Sequence, residues 1–143
     1  MAHHLITTKD LTDQEILQIF EEAKKYLRSS PPQLLKNRLI ITIFFENSTR
    51  TRSSFEVAAK RLGAEVVSLD VSKSSTNKGE TLFDTAANLD AMGPNAIIVR
   101  HKHSGVPQIL SRYVSCSLIN GGDGAHAHPP HKPFWIFSLS SVT

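Results

Sequence analysis

The run Ser48-Thr49-Arg50-Thr51-Arg52 places three hydroxyls and two guanidinium groups side by side, directly after a wholly apolar segment and directly before an amphipathic one. A helix that starts there presents unpaired backbone N–H groups and the positive end of its dipole. The hydroxyls of Ser48, Thr49 and Thr51 add donors, and Arg50 adds a planar fork that matches phosphate oxygens. Together they describe an anion site that needs no metal. A capped helix start with solvent-facing arginines fits the same local pattern. Two further polar clusters, Arg100–His103 and Gly122–His128, each follow an apolar run. His126, His128 and His131 in H-A-H-P-P-H raise a metal tract as a reading. A metal site needs fixed geometry and supporting partners, and the prolines restrict this stretch, so no metal and no cofactor are expected. His101 and His103 read as polar residues of a strand exit rather than ligands. Taken singly, Lys78 reads as a solvated lysine and Arg100 as a strand-end residue. Arg52 reads as a structural residue paired with an acid such as Glu56 or Glu80.

The elements that must position these clusters alternate in type. Thr12 to Leu27 reads as an amphipathic helix, with Thr12 and Glu15 as a capping box and Ile16, Ile19, Phe20 and Ala23 on its inner face. Leu39 to Phe45 is short, β-branched and nearly all apolar, as in a strand buried on both faces. A helix follows from about Thr51 to Leu62, buried through Phe55, Ala58, Ala59 and Leu62 and closed by Gly63. Val66 to Leu69 is a second strand, and Ser72 to Lys78 a polar loop. Glu80 to Met92 is a helix with Leu82, Ala86 and Leu89 facing inward and Phe83 as a further inward candidate. Ala96 to Val99 is a third strand, Val106 to Tyr113 a short helix, and Ser117 to Ile119 a fourth strand. This alternation predicts an α/β fold: a four-stranded parallel sheet with helices on both faces. Ligands of such sheets sit beyond the carboxyl ends of the strands, so the three polar clusters should meet on one rim.

Composition narrows the function classes. At 143 residues the chain suffices for one domain with a real core. No apolar run approaches the roughly 20 residues that span a bilayer, and the start shows no export signal, so no membrane role is expected. The single cysteine, Cys116, rules out a disulfide within the chain and suits a reducing, cytoplasmic setting. The net charge is +3, but basic and acidic residues are interleaved without a stripe that would track a nucleic-acid backbone. A small anionic substrate accounts for the positive balance equally well.

The clusters also carry a resemblance. Phe45-Glu46-Asn47-Ser48-Thr49-Arg50-Thr51-Arg52 with Ser54-Phe55-Glu56 resembles the signature of the aspartate and ornithine carbamoyltransferases. Lys78-Gly79-Glu80-Thr81 with Asp84-Thr85 is similar to the mobile loop of the aspartate type. Val99-Arg100-His101 resembles the family's third-strand exit, and Asn120, Gly122-Asp123-Gly124 and His128-Pro129 its fourth. The resemblance covers roughly residues 5–129, and the order of the motifs strengthens it. It implies transfer of a carbamoyl group from carbamoyl phosphate to L-aspartate in pyrimidine biosynthesis. Ser48, Thr49, Arg50 and Thr51 would hold the phosphate. Arg100 and His128 would reach the carbamoyl end, with His128, Thr51 and Arg50 polarising the carbonyl. Ser74 and Lys78 would enter the site of a neighbouring subunit in a homotrimer, with regulatory chains as further partners. The ornithine type shares the S-T-R-T-R cluster, whereas Lys78-Gly79-Glu80 favours aspartate. A non-catalytic anion-binding or trimer-capping module and a nucleic-acid-binding domain are the rival classes.

The family pattern fails after Pro129. The family continues Thr-Gln-Ala-Leu-Leu-Asp-Leu-Phe-Thr, whereas this chain reads Pro130-His131-Lys132-Pro133-Phe134-Trp135-Ile136-Phe137-Ser138. Codons read from each third base accommodate the family segment: Phe134 with Trp135 forces Leu, Trp135 with Ile136 forces Asp, and His131 with Lys132 allows Gln or a stop. The expectation is a carbamoyl-phosphate-binding domain at residues 1–129, a frame-shifted tail at 130–143, and no aspartate-binding domain. Such a chain is expected to bind carbamoyl phosphate weakly without turnover. Sequencing the gene across the codons for His128 to Thr143 should reveal the shifted frame continuing downstream; a frame that stays closed there would refute the slip.

Overall fold

The structure, a computed structural model, describes residues 3–71 and 81–124, with only the backbone of Leu27 and Arg28. A short 3-10 turn (Thr8–Asp10) precedes helix α1 (Asp13–Arg28), whose start carries the expected reciprocal cap between Thr12 and Glu15. Strand β1 (Leu39–Phe44), helix α2 (Thr49–Arg61), strand β2 (Glu65–Asp70), helix α3 (Leu82–Ala91), strand β3 (Ala96–His101), helix α4 (Val106–Leu110) and strand β4 (Ser117–Asp123) follow. The sheet is wholly parallel in the order β2-β1-β3-β4. From β1 the chain steps outward to β2, then returns past β1 to build β3 and β4 on the other side. That reversal puts a topological switch between β1 and β3, the place where such sheets open a crevice for ligands.

Side chains of β1 alternate between two cores. Ile40 and Phe44 pack with Phe55, Ala58, Ala59 and Leu62 of α2. Ile41 and Ile43 pack with Ala86 and Leu89 of α3 and Val106 and Leu110 of α4. Burial on both faces explains why β1 reads as a continuous apolar run. Thr42, fully buried on the α2 face, is its one polar residue. β2 lies at the sheet edge and is largely exposed, whereas residues 4–6 run beside β4: Leu5 N donates to Leu118 O and Leu5 O accepts from Asn120 N, each at 2.9 Å. Cys116 lies in the α3/α4 core, where burial pushes its thiol up to about 11.

Several boundaries differ from the sequence reading. α2 begins at Thr49, two residues early, and α3 begins at Leu82, because the reciprocal cap is made by Thr81 and Asp84. β4 runs on to Asp123 through both glycines. Phe20 is 36% exposed and Phe83 is 51% exposed, so neither is a core residue; Phe83 instead meets Tyr113 edge-on, centroids 4.7 Å apart. The expected loop at Ser72 to Lys78 lies outside the described residues. Among the described residues no helix is long and apolar enough to cross a membrane. Phe55 is fully buried against β1, so Phe55→Ala should cost about 3–5 kcal/mol in urea unfolding, with the cooperative transition retained at lower midpoint.

Candidate functional site

Among the described residues, the starts of α2 and of the five-residue α4 lack side-chain caps, whereas the other helical starts have them. The 3-10 turn, α1 and α3 each begin with a threonine that accepts a backbone N–H while an acid reaches back to the threonine's own N–H. At α2 the N-cap Ser48 makes no such bond, and the first turn holds no acid. Arg52 N is the first amide to find an intrahelical acceptor, Ser48 O at 3.0 Å. The amides of Thr49, Arg50 and Thr51 therefore stand at the mouth with the helix dipole behind them. Arg50 is exposed and makes no ion pair among the described residues. Uncapped donors beside a guanidinium without an ion pair among the described residues are the chemistry that an anion site requires.

Arg100 comes to the same rim from β3. Phe45 N donates to Arg100 O at 2.9 Å, which ties the β1 exit to the β3 exit. The Arg100 guanidinium is held by two partners: Nε donates to Glu46 Oε1 at 2.7 Å and Nη1 donates to Gly121 O at 3.3 Å. Among the described residues its other N–H groups make no hydrogen bond. Glycine at 122 fits this arrangement, since its φ is +130° and a Cβ there would come within 3.0 Å of Arg100 Nη1. At Gly121 a Cβ would meet Val99 O at 3.2 Å, a tight contact with backbone.

The β4 exit is fixed by a buried polar knot. Asn120 Nδ2 donates to Asp123 Oδ1 at 3.2 Å and to Ile6 O at 3.0 Å, and Asn120 Oδ1 accepts from Gly122 N at 2.8 Å. Asp123 Oδ2 accepts from Gly105 N at 2.8 Å. The knot holds the strand end against the turn before α4. It thereby sets where the chain leaves toward His128, which lies outside the described residues, as do Ser74 and Lys78. Of the expected site residues, Ser48, Thr49, Arg50, Thr51 and Arg100 share the rim. Arg52 is structural as read, paired with Glu56 at 4.0 Å, and its second partner is Asp70 at 3.3 Å. Sequence reasoning missed Glu46, Asn120 and Asp123 as positioning groups, although all three lie inside the motifs that carry the resemblance.

His101 departs from the reading of a rim residue. It is buried, 4.9 Å from the Phe45 ring and 5.3 Å from the His103 ring. Its Nδ1 accepts from His103 N at 3.0 Å, which requires the neutral ring. Burial first, then the neighbouring His103 and Lys102, lowers its pKa below the ordinary 6.5; Glu46 opposes. Among the described residues no group of three His, Cys, Asp or Glu side chains could hold a metal.

The comparisons with known proteins agree with this geometry. The sequence profile of the family described as aspartate/ornithine carbamoyltransferase, carbamoyl-P binding domain, matches residues 3–131. The aspartate carbamoyltransferase catalytic subunit of Nitratiruptor sp. is 75% identical over 139 residues, 97% of this chain and 48% of that protein. Among solved structures, the catalytic subunit of M. jannaschii aspartate transcarbamoylase is similar with TM-score 0.79 and 41% identity, over 88% of this chain and 42% of that one. The anabolic ornithine carbamoyltransferase of Campylobacter jejuni matches with TM-score 0.80 and 30% identity, over 90% and 42%. The chain spans about half the length of the curated relatives it matches.

Acid should weaken the fold through its histidines. His4 Nδ1 also accepts a backbone N–H, from Leu118 at 3.2 Å, and burial lowers its pKa, with His3 adding to the effect. Both rings bind protons less readily folded than unfolded, so their stability is fully present above about pH 6.5 and is lost as pH falls through the depressed values. Unfolding free energies measured from pH 7.5 to 5 should decline below 6.5, and His4→Gln with His101→Gln should flatten that decline.

Proposed function

Because the chain belongs to the aspartate/ornithine carbamoyltransferase family through its carbamoyl-phosphate-binding domain, we propose that it binds carbamoyl phosphate where β1 opens into α2. We propose also that the whole protein carbamoylates L-aspartate, giving N-carbamoyl-L-aspartate and phosphate in pyrimidine biosynthesis. The observation that carries the reading is the uncapped, acid-free start of α2 in a chain whose other helix starts of comparable length are capped.

The chemistry follows from where charge develops. The amine nitrogen of the second substrate attacks the carbonyl carbon, and the carbon–oxygen bond to phosphate breaks. Negative charge grows on the carbonyl oxygen and then on the departing phosphate, so donors fixed in advance lower the barrier. In this reading the amides and hydroxyls of Ser48, Thr49 and Thr51 grip the phosphate with Arg50. Arg100, held by Glu46 and Gly121, faces the carbamoyl end with His128. No metal or cofactor is required for the transfer. Ser74 and Lys78 complete the site of a neighbouring subunit in a homotrimer, with regulatory chains as further partners. Aspartate is preferred over ornithine on two supports: the Lys78-Gly79-Glu80-Thr81 loop and the 75% identity to an aspartate carbamoyltransferase catalytic subunit. Residues 1–129 form the carbamoyl-phosphate-binding domain, and 130–143 the frame-shifted tail. A cytoplasmic location goes with this assignment.

Calorimetry of the 143-residue chain should show weak binding of carbamoyl phosphate and of inorganic phosphate. Arg50→Gln should weaken both by at least about tenfold, the loss of one charge-assisted contact. A frame-restored chain should carbamoylate aspartate in preference to ornithine, and the 143-residue chain should carbamoylate neither. Preference for ornithine would reassign the substrate. Absence of any phosphate affinity in the parent chain would defeat the site.

A further inference from the structure

We infer that Glu56 and Arg52 are positioning residues of this site, and that with Thr42 and Asp70 they form a clamp that sets how tightly the start of α2 grips phosphate. The inference rests on the proposed phosphate site. It begins from a residue that the apolar core does not explain. Thr42 is fully buried in the central strand, where an unpaired hydroxyl would be costly. Its Oγ1 donates to Glu56 Oε1 at 2.8 Å. The same carboxylate oxygen lies 4.0 Å from Nε of Arg52, one turn earlier on α2. Nη1 of Arg52 then donates to Asp70 Oδ2, at the carboxyl end of β2, at 3.3 Å. Four side chains thus join three elements at the turn of α2 that presents the amides.

Packing alone does not supply this control. Phe55, Ala58, Ala59 and Leu62 hold α2 to the sheet, but apolar burial is non-directional and does not itself select a polar geometry at the helix start. Hydrogen bonds with charged partners fix direction; Thr42 to Glu56 and Arg52 to Asp70 are such bonds, and the 4.0 Å Arg52–Glu56 ion pair links them. Arg52 and Glu56 keep 27% and 21% of their side-chain surface, so their pairing adds little to stability and its value lies in orientation. Arg50 and Arg52 are two residues apart and do not share a helix face. With two carboxylates engaging Arg52, Arg50 is left as the arginine of the pair that can meet an anion.

The test compares parent chain and variants for affinity toward inorganic phosphate and carbamoyl phosphate, together with melting temperature and the amide NMR shifts of Thr49, Arg50 and Thr51 on adding phosphate. Glu56→Gln keeps an oxygen for Thr42 and removes the charge facing Arg52. It and Arg52→Met should each weaken phosphate binding about tenfold and shrink the amide shifts, at temperatures where both remain folded. Arg52→Lys should recover part of the loss. Asp70→Asn, at the exposed end of β2, carries the test if a variant at 56 fails to fold, and should weaken binding about threefold. Unchanged phosphate affinity with a lowered melting temperature would overturn the inference, because the network would then be a brace and no more. A parent chain with no phosphate affinity would overturn the site and the clamp together, whereas parent binding matched by all variants would overturn the clamp alone.

Discussion

A strand with neighbours on both edges and helices over both faces has no contact with water, and β1 is placed that way. Everything else in the fold is arranged around it. Its backbone groups are satisfied by β2 and β3, and its side chains divide between the α2 core and the α3/α4 core. The chain leaves β1 in one direction and comes back in the other, so the helices on either side diverge above its carboxyl end. Sheets with such a reversal take ligands beyond the carboxyl ends of their strands, and the α2 start lies at that end of β1. The same central position makes Thr42 informative, because a hydroxyl survives there only with a partner, and its partner is on the helix that forms the site.

The rim is a set of polar groups whose partners are already in place. Arg100 is oriented by Glu46 and Gly121, Arg52 by Glu56 and Asp70, and the β4 exit by the Asn120–Asp123 knot. The donors at Thr49, Arg50 and Thr51 are the exception, since no side chain of the α2 cap competes for them. Polarity of this kind is what electrostatic catalysis needs: dipoles fixed before charge develops, with little reorganisation left to do. Glycine serves the same end at 122, where the positive φ and the nearby guanidinium leave no room for a side chain.

Membership of the family assigns the domain, and the geometry of this chain explains how the domain would work. The part of the family protein seen here supplies the uncapped start of α2 and the oriented guanidinium of Arg100. A substrate closed between two domains gains water exclusion that one domain does not provide. The relatives extend over about twice the length of this chain.

Much of this was legible in the sequence. The apolar run at Leu39–Phe44, the spacing of Phe55, Ala58, Ala59 and Leu62, and the cap at Thr12 report directly on local periodicity and backbone satisfaction, which are properties of short segments. The parallel sheet and the rim of three clusters followed from the alternation of elements. Pattern could not say that Phe20 and Phe83 lie outward, because an apolar side chain at a helical face position is buried only if another element covers it. Nor could it give Asp70 to Arg52, Glu46 to Arg100 or a neutral ring to His101. Those pairings join residues that are far apart in the chain or depend on burial, and both are decided only when strands take their order and helices choose their faces. The hydroxyls and guanidinium groups beyond β1 were set by sequence; which arginine the carboxylates engage was set by the tertiary structure, because strand order decides that Asp70 stands beside Arg52.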